Sequence, residues 1–249
     1  MNKKRLLILG GTAEARELAQ LADERFGGIA TIITSLAGRT EDRPDVSGEV
    51  RIGGFGGAVG LAQFIRDESI QLVIDATHPF AARISRNAKT ACDETDTPRL
   101  FLNRPRWTPP EDARITYVDT IAAAGTVVRE QAKRCFLTIG TKDLDAFAAS
   151  QDVWFLVRTI EQATIPFARA EMIRQRPPFT KEDEKNLMQT HAIDMLVTKE
   201  SGGRATEAKI LAATELGIPI VMIERPMPPE SLSTDSVTGA LQWIRETVV

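Results

Sequence analysis

The sequence predicts an α/β fold with parallel sheets, because short apolar segments alternate with segments of helical spacing along almost the whole chain. In the first half, the short apolar segments are Leu6–Leu9, Thr31–Ile33, Leu72–Ile74 and Leu100–Leu102. The helical segments between them are Glu14–Arg25, Gly60–Glu68 and Ala81–Glu94. Continuous apolar strands are typical of sheets covered on both faces, and strand–helix–strand alternation favours parallel neighbours joined by right-handed crossovers.

The alternation stops at Asn103–Pro110, where three prolines disfavour both a helix and an inner strand. It resumes with the apolar segments Ile115–Val118, Phe136–Ile139, Val153–Val157, Met195–Val197 and Ile220–Ile223. We therefore expect a boundary at about Pro105–Asp112 and two domains, residues 1–108 and 109–249.

The two halves are weakly similar to each other at their strand ends. Leu7–Thr12 is similar to Leu137–Thr141, and Leu72–Thr77 is similar to Met195–Lys199. The interpretation is either an α/β unit that occurs twice or a chance likeness, since an apolar strand followed by Gly or Thr is common.

Composition excludes several classes of protein. The chain has 249 residues with a formal net charge of −3, which argues against a general affinity for nucleic acid. Cys92 and Cys135 form no CxxC motif, so we predict no disulfide and no metal site, and a reducing cytoplasm suits both thiols. No apolar run is long enough for a signal peptide or a membrane span. The oligomeric state is not predicted.

A glycine turn after the first strand carries the first functional signal. Gly10 and Gly11 follow the strand, Thr12 can cap a helix, and Ala13 begins it. Glycines allow backbone N–H groups to approach a pyrophosphate, and a helix N-terminus adds partial positive charge. The run Gly-Gly-Thr-Ala-Glu-Ala matches the GxGxxG fingerprint only in part, so a tight turn without a ligand is the alternative.

The end of the second strand favours NADPH over NADH. NAD sites place an acidic residue about 20 residues after the glycines to bind the ribose 2′-hydroxyl. Here the strand ends in Thr34-Ser35, and Arg39 follows, with no carboxylate. Ser35 and Arg39 would suit a 2′-phosphate, since a guanidinium binds phosphate in a bidentate manner. The alternative for Arg39 is a solvated surface charge.

Two further loops follow strands of the same half. Gly53–Gly57 holds four glycines, of which we assign Gly54 to the cofactor; the alternative is a mobile connector. Asp75–Ala81 follows the fourth strand, and its Thr77, His78 and Pro79 are expected to contact the cofactor. For His78 a purely structural role is the alternative.

The second half carries two turns whose residues suit an anionic ligand. Thr141 and Lys142 follow one strand, in a pattern that predicts strand, turn and helix. Lys199 ends another strand beside Ser201 and Gly202. A cation next to a hydroxyl and flexible backbone N–H groups suits a carboxylate ligand, whereas an ordinary polar loop is the alternative.

Taken together, these motifs resemble one family, the precorrin-6A reductases of cobalamin biosynthesis. The matching segments, in order from residue 6 to residue 226, are LILGGTAEAREL, DATHPFA, RPRW, LTIGTKDL, PPFTKEDE, LVTKESGG and GIPIVMIERP. DATHPFA and VTKESGG are the specific ones, because the glycine turn alone occurs in many nucleotide-binding proteins.

The resemblance implies a cytoplasmic, NADPH-dependent oxidoreductase that reduces a double bond of precorrin-6A to give precorrin-6B. It implies two Rossmann-like lobes with the active site in the cleft between them, an NADPH-binding domain at 1–108 and a substrate-side domain at 109–249. Gly10, Gly11, Thr12, Ala13 and Thr77–Pro79 would then face the cofactor. Thr141, Lys142, Lys199, Ser201 and Gly202 would face the substrate.

The proton donor is not identified by the sequence, and Lys199 and His78 are both candidates. Two alternative functions stay open. One is reduction of the cobalt-containing substrate of the anaerobic route, and the other is a non-catalytic NADP-binding sensor.

Overall fold

The computed structural model describes residues 3–38, 46–160 and 162–248. The strands are β1 (Lys4–Leu9), β2 (Ala30–Leu36), β3 (Glu49–Ile52), β4 (Ile70–Asp75), β5 (Arg99–Leu102), β6 (Ile115–Val118), β7 (Arg134–Thr138), β8 (Trp154–Thr159), β9 (Ala170–Arg174), β10 (Met195–Lys199), β11 (Ile220–Ile223) and β12 (Leu232–Thr234). The α-helices are α1 (Ala13–Phe26), α2 (Gly57–Asp67), α3 (Ala82–Glu94), α4 (Ile121–Gln131), α5 (Lys181–Thr190), α6 (Ala208–Glu215) and α7 (Val237–Val248).

The chain divides into two compact units, the first formed by Met1–Pro105 and Pro226–Val249 and the second by Arg106–Arg225. Each unit contains a six-stranded sheet, and all the strand pairs described in both sheets are parallel. The predicted α/β fold, with two Rossmann-like parallel sheets flanked by helices, is therefore confirmed.

The first sheet has the order β12-β5-β4-β1-β2-β3 and is covered on both faces. Leu6 and Ile8 of β1 pack in one apolar cluster with residues of α1 and α7. Leu7 and Leu9 point the other way, into a cluster with residues of α2 and α3. Successive side chains of a strand face opposite sides, so a run that is buried on both must be apolar throughout.

The second sheet has the order β6-β11-β10-β7-β8-β9. Phe136 of β7 and Leu196 of β10 share an apolar cluster with Met188 of α5 and Ile210 of α6. Trp107 belongs to the same cluster. The proline-rich segment that precedes β6 is therefore fastened to this core although it forms no helix or strand.

The two sheets repeat one strand order. From one edge to the other, β3-β2-β1-β4-β5-β12 corresponds to β9-β8-β7-β10-β11-β6. The similarity of Leu7–Thr12 to Leu137–Thr141 and of Leu72–Thr77 to Met195–Lys199 thus marks the paired central strands β1 and β4, and β7 and β10. The α/β unit therefore occurs twice, and the similar segments lie on corresponding strands.

The last strand of the first sheet comes from an unexpected part of the chain. This strand is β12, which pairs with β5 through Leu232↔Leu100, Ser233↔Phe101 and Thr234↔Leu102. The prediction that 109–249 forms one domain is therefore wrong for residues 226–249, which complete the first unit. The reason is the pairing of β12 and the packing of α7 on α1, both distant in sequence.

Other details differ from the sequence-based expectations. The edge strands β9 and β12 were not predicted, and Lys142 precedes a one-turn 3-10 helix, Leu144–Phe147, rather than an α-helix. Cys92 and Cys135 are free and buried. Within the described residues, no helix has the length and apolar character needed to cross a membrane.

Candidate active site

The first sheet reverses its strand order between β1 and β4, because the chain continues to β2 on one side and to β5 on the other. Parallel sheets bind ligands at such a point, outside the carboxyl ends of the strands. We call the ends of β1 and β4, with the loops Gly10–Ala13 and Ala76–Pro79, the first switch point. Gly10, Gly11, Thr12, Ala13, Thr77, His78 and Pro79 all lie here, so the structure brings these predicted residues together.

The two glycines of the first switch point differ in the structural reason for which each position is a glycine. The Gly10 N–H donates to the Ser35 carbonyl at 2.9 Å, and a Cβ at Gly10 would stand 3.1 Å from Cγ2 of Thr34. Gly11 has a φ of +111°, and a Cβ there would meet nothing within 4 Å. Close packing against β2 therefore requires a small residue at position 10, whereas position 11 leaves open space beside the backbone.

Thr12 joins the two loops of the first switch point. Its Oγ1 accepts from the Ala15 N–H at 3.0 Å, which caps α1, and donates to the Ala76 carbonyl at 2.8 Å. The Ala76 N–H in turn donates to the Leu9 carbonyl at 3.0 Å. The glycine turn and the loop after β4 are therefore held in one fixed arrangement, with the N-terminus of α1 beside them.

The loop after β4 is shaped by side chains that bind its own backbone. Asp75 is fully buried, and its Oδ1 accepts from the Thr77 N–H at 3.2 Å and from the Thr77 hydroxyl at 2.7 Å. His78 accepts from the Phe80 N–H at its Nδ1, at 3.2 Å. The imidazole of His78 is therefore tied to the backbone of its own loop.

The remaining predicted cofactor residues lie along the same edge of the first sheet, with one exception. Ser35 is buried near the end of β2, and Gly54 follows β3. The Arg51 guanidinium donates to the carbonyls of Gly53 at 2.6 Å and Gly54 at 2.9 Å, so it shapes this glycine loop. Arg39 lies outside the described residues.

The second sheet reverses its order in the same way between β7 and β10. We call the ends of these strands, with the loops Ile139–Asp143 and Lys199–Gly203, the second switch point. Lys199 Nζ donates to the Ile139 carbonyl at 2.8 Å and to Asp143 Oδ2 at 2.5 Å. The ammonium of Lys199 therefore joins the two loops, and the exposed Thr141 and Lys142 lie in the turn that it contacts.

The loop after Lys199 is held by a buried carboxylate. Glu200 is 4% exposed, and its Oε2 accepts from Arg106 Nη1 at 2.7 Å. Nε of Arg225 donates to the Glu200 carbonyl at 3.1 Å. Ser201 is buried, and Gly202 adopts a left-handed φ of +66°. This geometry fixes the loop in which the predicted substrate residues Ser201 and Gly202 lie.

Several polar residues that shape these loops were missed by reasoning from the sequence, among them Asp75, Arg106, Asp143, Glu200 and Arg51. Asp143 and Glu200 lie inside the motifs LTIGTKDL and VTKESGG, but nothing local in the sequence shows which cation each would contact. Arg51 lies in an exposed edge strand, where a charged side chain is the usual expectation. Burial lowers the pKa of the Arg51 guanidinium, whose centre lies 3.8 Å from the Phe55 ring centroid.

The described residues do not support a site with a reactive thiol or a bound metal ion. No group of three or more His, Cys, Asp or Glu side chains there is placed to hold a metal ion. Burial raises the pKa of the Cys92 thiol to about 12, and it also raises the pKa of Cys135. Both thiols therefore stay protonated at neutral pH and are poor nucleophiles.

Comparison with known proteins identifies the family. A family model described as Precorrin-6x reductase CbiJ/CobK matches residues 5–245. The precorrin-6A reductase of Rhodococcus erythropolis is 45% identical over 243 residues, covering 96% of this chain and 97% of that protein. The cobalt-precorrin-6A reductase of Priestia megaterium is 32% identical over 236 residues, covering 89% and 90% of the two chains.

A solved structure of CobK precorrin-6A reductase superimposes with a TM-score of 0.91 at 35% sequence identity, covering 98% of this chain and 97% of that chain. The match therefore extends over both units and both switch points. The chain belongs to the precorrin-6x reductase family, the oxidoreductases of cobalamin biosynthesis that its relatives represent.

Proposed function

We propose that the protein is an NADPH-dependent precorrin-6A reductase, which reduces one double bond of the macrocycle to give precorrin-6B. The observation that carries the proposal is a family match over almost the whole chain, with both units included. We place the enzyme in the cytoplasm, because its two free, buried thiols suit a reducing compartment.

The first switch point fits the pyrophosphate of a dinucleotide. Position 11 has open space where a side chain would otherwise stand, and the N-terminus of α1 adds partial positive charge beside it. We assign Gly10, Gly11, Thr12, Ala13 and the Thr77–Pro79 loop to the cofactor. A bound nicotinamide nucleotide supplies the hydride; the protein orients it and excludes water.

The choice of NADPH over NADH rests on the end of β2. This strand ends at Leu36 after Thr34 and Ser35, and up to residue 38, where the described segment stops, there is no carboxylate to bind a ribose 2′-hydroxyl. We assign Ser35 and Arg39 to the 2′-phosphate, with Gly54 near the adenosine end of the nucleotide. An acidic residue at this strand end would instead repel a phosphate dianion.

We assign Thr141, Lys142, Lys199, Ser201 and Gly202 to the substrate. Precorrin-6A carries many acetate and propionate groups, and charge-assisted hydrogen bonds to carboxylates are roughly twice as strong as neutral ones. Lysine side chains and backbone N–H groups of a left-handed glycine are suitable donors for such groups.

Reduction of a double bond requires a proton as well as a hydride. The two candidate proton donors, Lys199 and His78, differ in their hydrogen-bond partners. Lys199 Nζ donates to the Asp143 carboxylate and the Ile139 carbonyl, between the two loops assigned to the substrate. The Nδ1 of His78 accepts from the Phe80 N–H, within a loop assigned to the cofactor. Because the proton must reach the substrate, we assign its delivery to Lys199, with solvent replacing the proton afterwards.

The test is oxidation of NADPH by the purified protein with precorrin-6A, followed by the near-ultraviolet absorbance of NADPH. NADH and cobalt-loaded substrate are run in parallel. We expect oxidation with NADPH and the metal-free substrate, since the relative named for that substrate is the more similar of the two described above. Oxidation only with the cobalt-loaded substrate supports the anaerobic alternative. Binding of NADPH without oxidation of either substrate contradicts a reductase and supports the sensor.

A further inference from the structure

We propose that Asp75 is a positioning residue for the cofactor and acts through Thr77. The assignment rests on the proposed function, because it needs a dinucleotide at the first switch point. Asp75 ends β4 beside Leu9 of β1, and Gly10 follows Leu9. It is therefore placed at the centre of the proposed cofactor site, yet it is 0% exposed and cannot touch a ligand itself.

The geometry around Asp75 fixes Thr77 in two ways. Oδ1 of Asp75 accepts both from the Thr77 backbone N–H and from the Thr77 hydroxyl. The Thr77 Oγ1 also lies 3.4 Å from Ser85 Oγ on α3. Because the hydroxyl proton is directed at Asp75, Ser85 is the donor in that second contact. Backbone and side chain of Thr77 are thus both held, and the loop is fixed between β4 and α3.

The second carboxylate oxygen of Asp75 shows that burying this side chain is energetically unfavourable. Oδ2 is buried and has no hydrogen-bond partner among the described residues. A buried carboxylate oxygen without a partner is unfavourable, so packing alone would favour an apolar residue at this position. The two bonds to Thr77 offset part of that cost, and the benefit is a loop that is in place before the cofactor arrives.

The fixed loop is connected to the glycine turn. Ala76 lies between Asp75 and Thr77, its carbonyl accepts from the Thr12 hydroxyl, and its N–H binds the Leu9 carbonyl. A shift of Thr77 would therefore move Ala76 and loosen the cap of α1. In this arrangement Thr77 contributes to cofactor binding by the position of its backbone, because its hydroxyl proton is already used by Asp75.

The experiment compares NADPH dissociation constants, measured by calorimetric titration without substrate, together with thermal unfolding of each variant. We expect Asp75→Ala and Thr77→Val each to weaken NADPH about tenfold, which equals about 1.4 kcal/mol. Asp75→Ala removes both bonds to Thr77, and Thr77→Val removes only the hydroxyl bond, so the double variant should be no weaker than Asp75→Ala. Thr77→Ser restores the hydroxyl and should recover most of the affinity.

Thr97→Val is the matched control. Thr97 shares a hydroxyl–hydroxyl contact of 2.8 Å with Thr95 in the same unit, away from the first switch point. It should lose some thermal stability and keep the wild-type NADPH affinity. If Asp75→Ala does not fold, Thr77→Val and Ser85→Ala carry the same comparison.

The outcomes separate this assignment from the proposed function. Unchanged NADPH affinity in Thr77→Val, or effects of Asp75→Ala and Thr77→Val that multiply, overturns the role of Asp75 and leaves the reductase intact. A wild-type protein that binds no NADPH overturns the cofactor, and the role of Asp75 with it.

Discussion

The two switch points lie at the same place in the same strand order, but different chemical groups join their loops. At the first, β1 is followed by two glycines, and the loops are joined by the Thr12 hydroxyl and by backbone groups. At the second, the Lys199 ammonium joins the loops by binding the Ile139 carbonyl and the Asp143 carboxylate. The order of the strands creates a crevice in each sheet, and the side chains at its edge decide what can enter.

The buried carboxylates of the two switch points, Asp75 and Glu200, also differ in their hydrogen-bond partners. Asp75 contacts the hydroxyl and backbone of Thr77, and in the part of the chain that the structure describes no cation is among its hydrogen-bond partners. Glu200 binds the Arg106 guanidinium and the backbone of Arg225. At the first switch point the donors at the glycine turn are backbone groups, and the nearby Arg104 is paired with Glu14 of α1. The second concentrates cations, which suits a substrate with many carboxylates.

The largest expected effect comes from a side chain at Gly11, compared with the same change at Gly140. Both glycines follow a central strand, have positive φ (+111° and +80°) and have nothing within 4 Å of an added Cβ. We predict that Gly11→Ala weakens NADPH about a hundredfold, equivalent to one or two charge-assisted hydrogen bonds. Calorimetric titration with NADPH measures this.

Gly140→Ala is the control for backbone strain. It should lower stability by about 1–3 kcal/mol, as Gly11→Ala does, because each forces an alanine into a left-handed conformation. Its NADPH affinity should equal that of the wild type. Equal losses of NADPH affinity in the two variants would contradict the distinction between the switch points.

Loss of the Lys199 side chain tests the second switch point. We predict that Lys199→Ala lowers kcat about a hundredfold, within the range of general acid catalysis, and leaves the dissociation constant of NADPH unchanged. Steady-state kinetics and titration on the same preparation measure both. Asp143→Asn should lower kcat less, because the ammonium keeps the Ile139 carbonyl as a partner. A kcat within twofold of the wild type in Lys199→Ala would remove Lys199 from proton delivery.

The two buried carboxylates can be compared by replacing each with its amide and measuring the free energy of unfolding. Glu200→Gln should destabilise the protein by about 1 kcal/mol, because the charge-assisted bond from the half-exposed Arg106 becomes a neutral one. Asp75→Asn should cost less, since no cation loses a partner and a neutral amide is cheaper to bury than a carboxylate. Urea unfolding measures both. A larger loss in Asp75→Asn than in Glu200→Gln would contradict the assigned environments.

The smallest effect is expected at an exposed cluster of the second unit. Hydrogen bonds from Lys181 and Lys185 lower the pKa of Glu215 to about 2. A carboxylate with a lowered pKa stabilises the folded state above its ordinary pKa of 4.5, and this stabilisation is lost as the pH falls toward 2.

Wild-type protein should therefore exceed Glu215→Gln in stability slightly at neutral pH, and the gap should close between about pH 4.5 and pH 2. Urea unfolding across this range measures the gap. A difference that stays constant with pH would show that the ion pairs with Lys181 and Lys185 contribute nothing.

The central strands could be predicted from the sequence, and the edges could not. β1, β4, β7 and β10 are continuous apolar runs because both of their faces are buried. β12 has only three residues, of which Leu232 is 60% exposed, so it carries no periodic pattern. Its pairing with β5 is long-range, and no local feature of residues 226–249 assigns them to the first unit.

The candidate site divides in a similar way. The glycine turn and its capping threonine could be predicted because their backbone chemistry follows from residue type. The partners of Lys199 and Glu200 could not, since Asp143 and Arg106 are distant in sequence and meet them only through strand pairing. The fully buried position of Asp75 likewise depends on its register beside Leu9.

The most direct test of the difference between the two switch points is the stoichiometry of NADPH binding. Calorimetric titration of the wild-type protein should give one NADPH per chain, with weaker binding of NADH, because Lys199 Nζ joins the loops of the second switch point beside its glycine turn, whereas the Thr12 hydroxyl and backbone groups join those of the first. Two equivalents per chain would contradict the assignment of the cofactor to the first switch point alone, and no binding would contradict the cofactor itself.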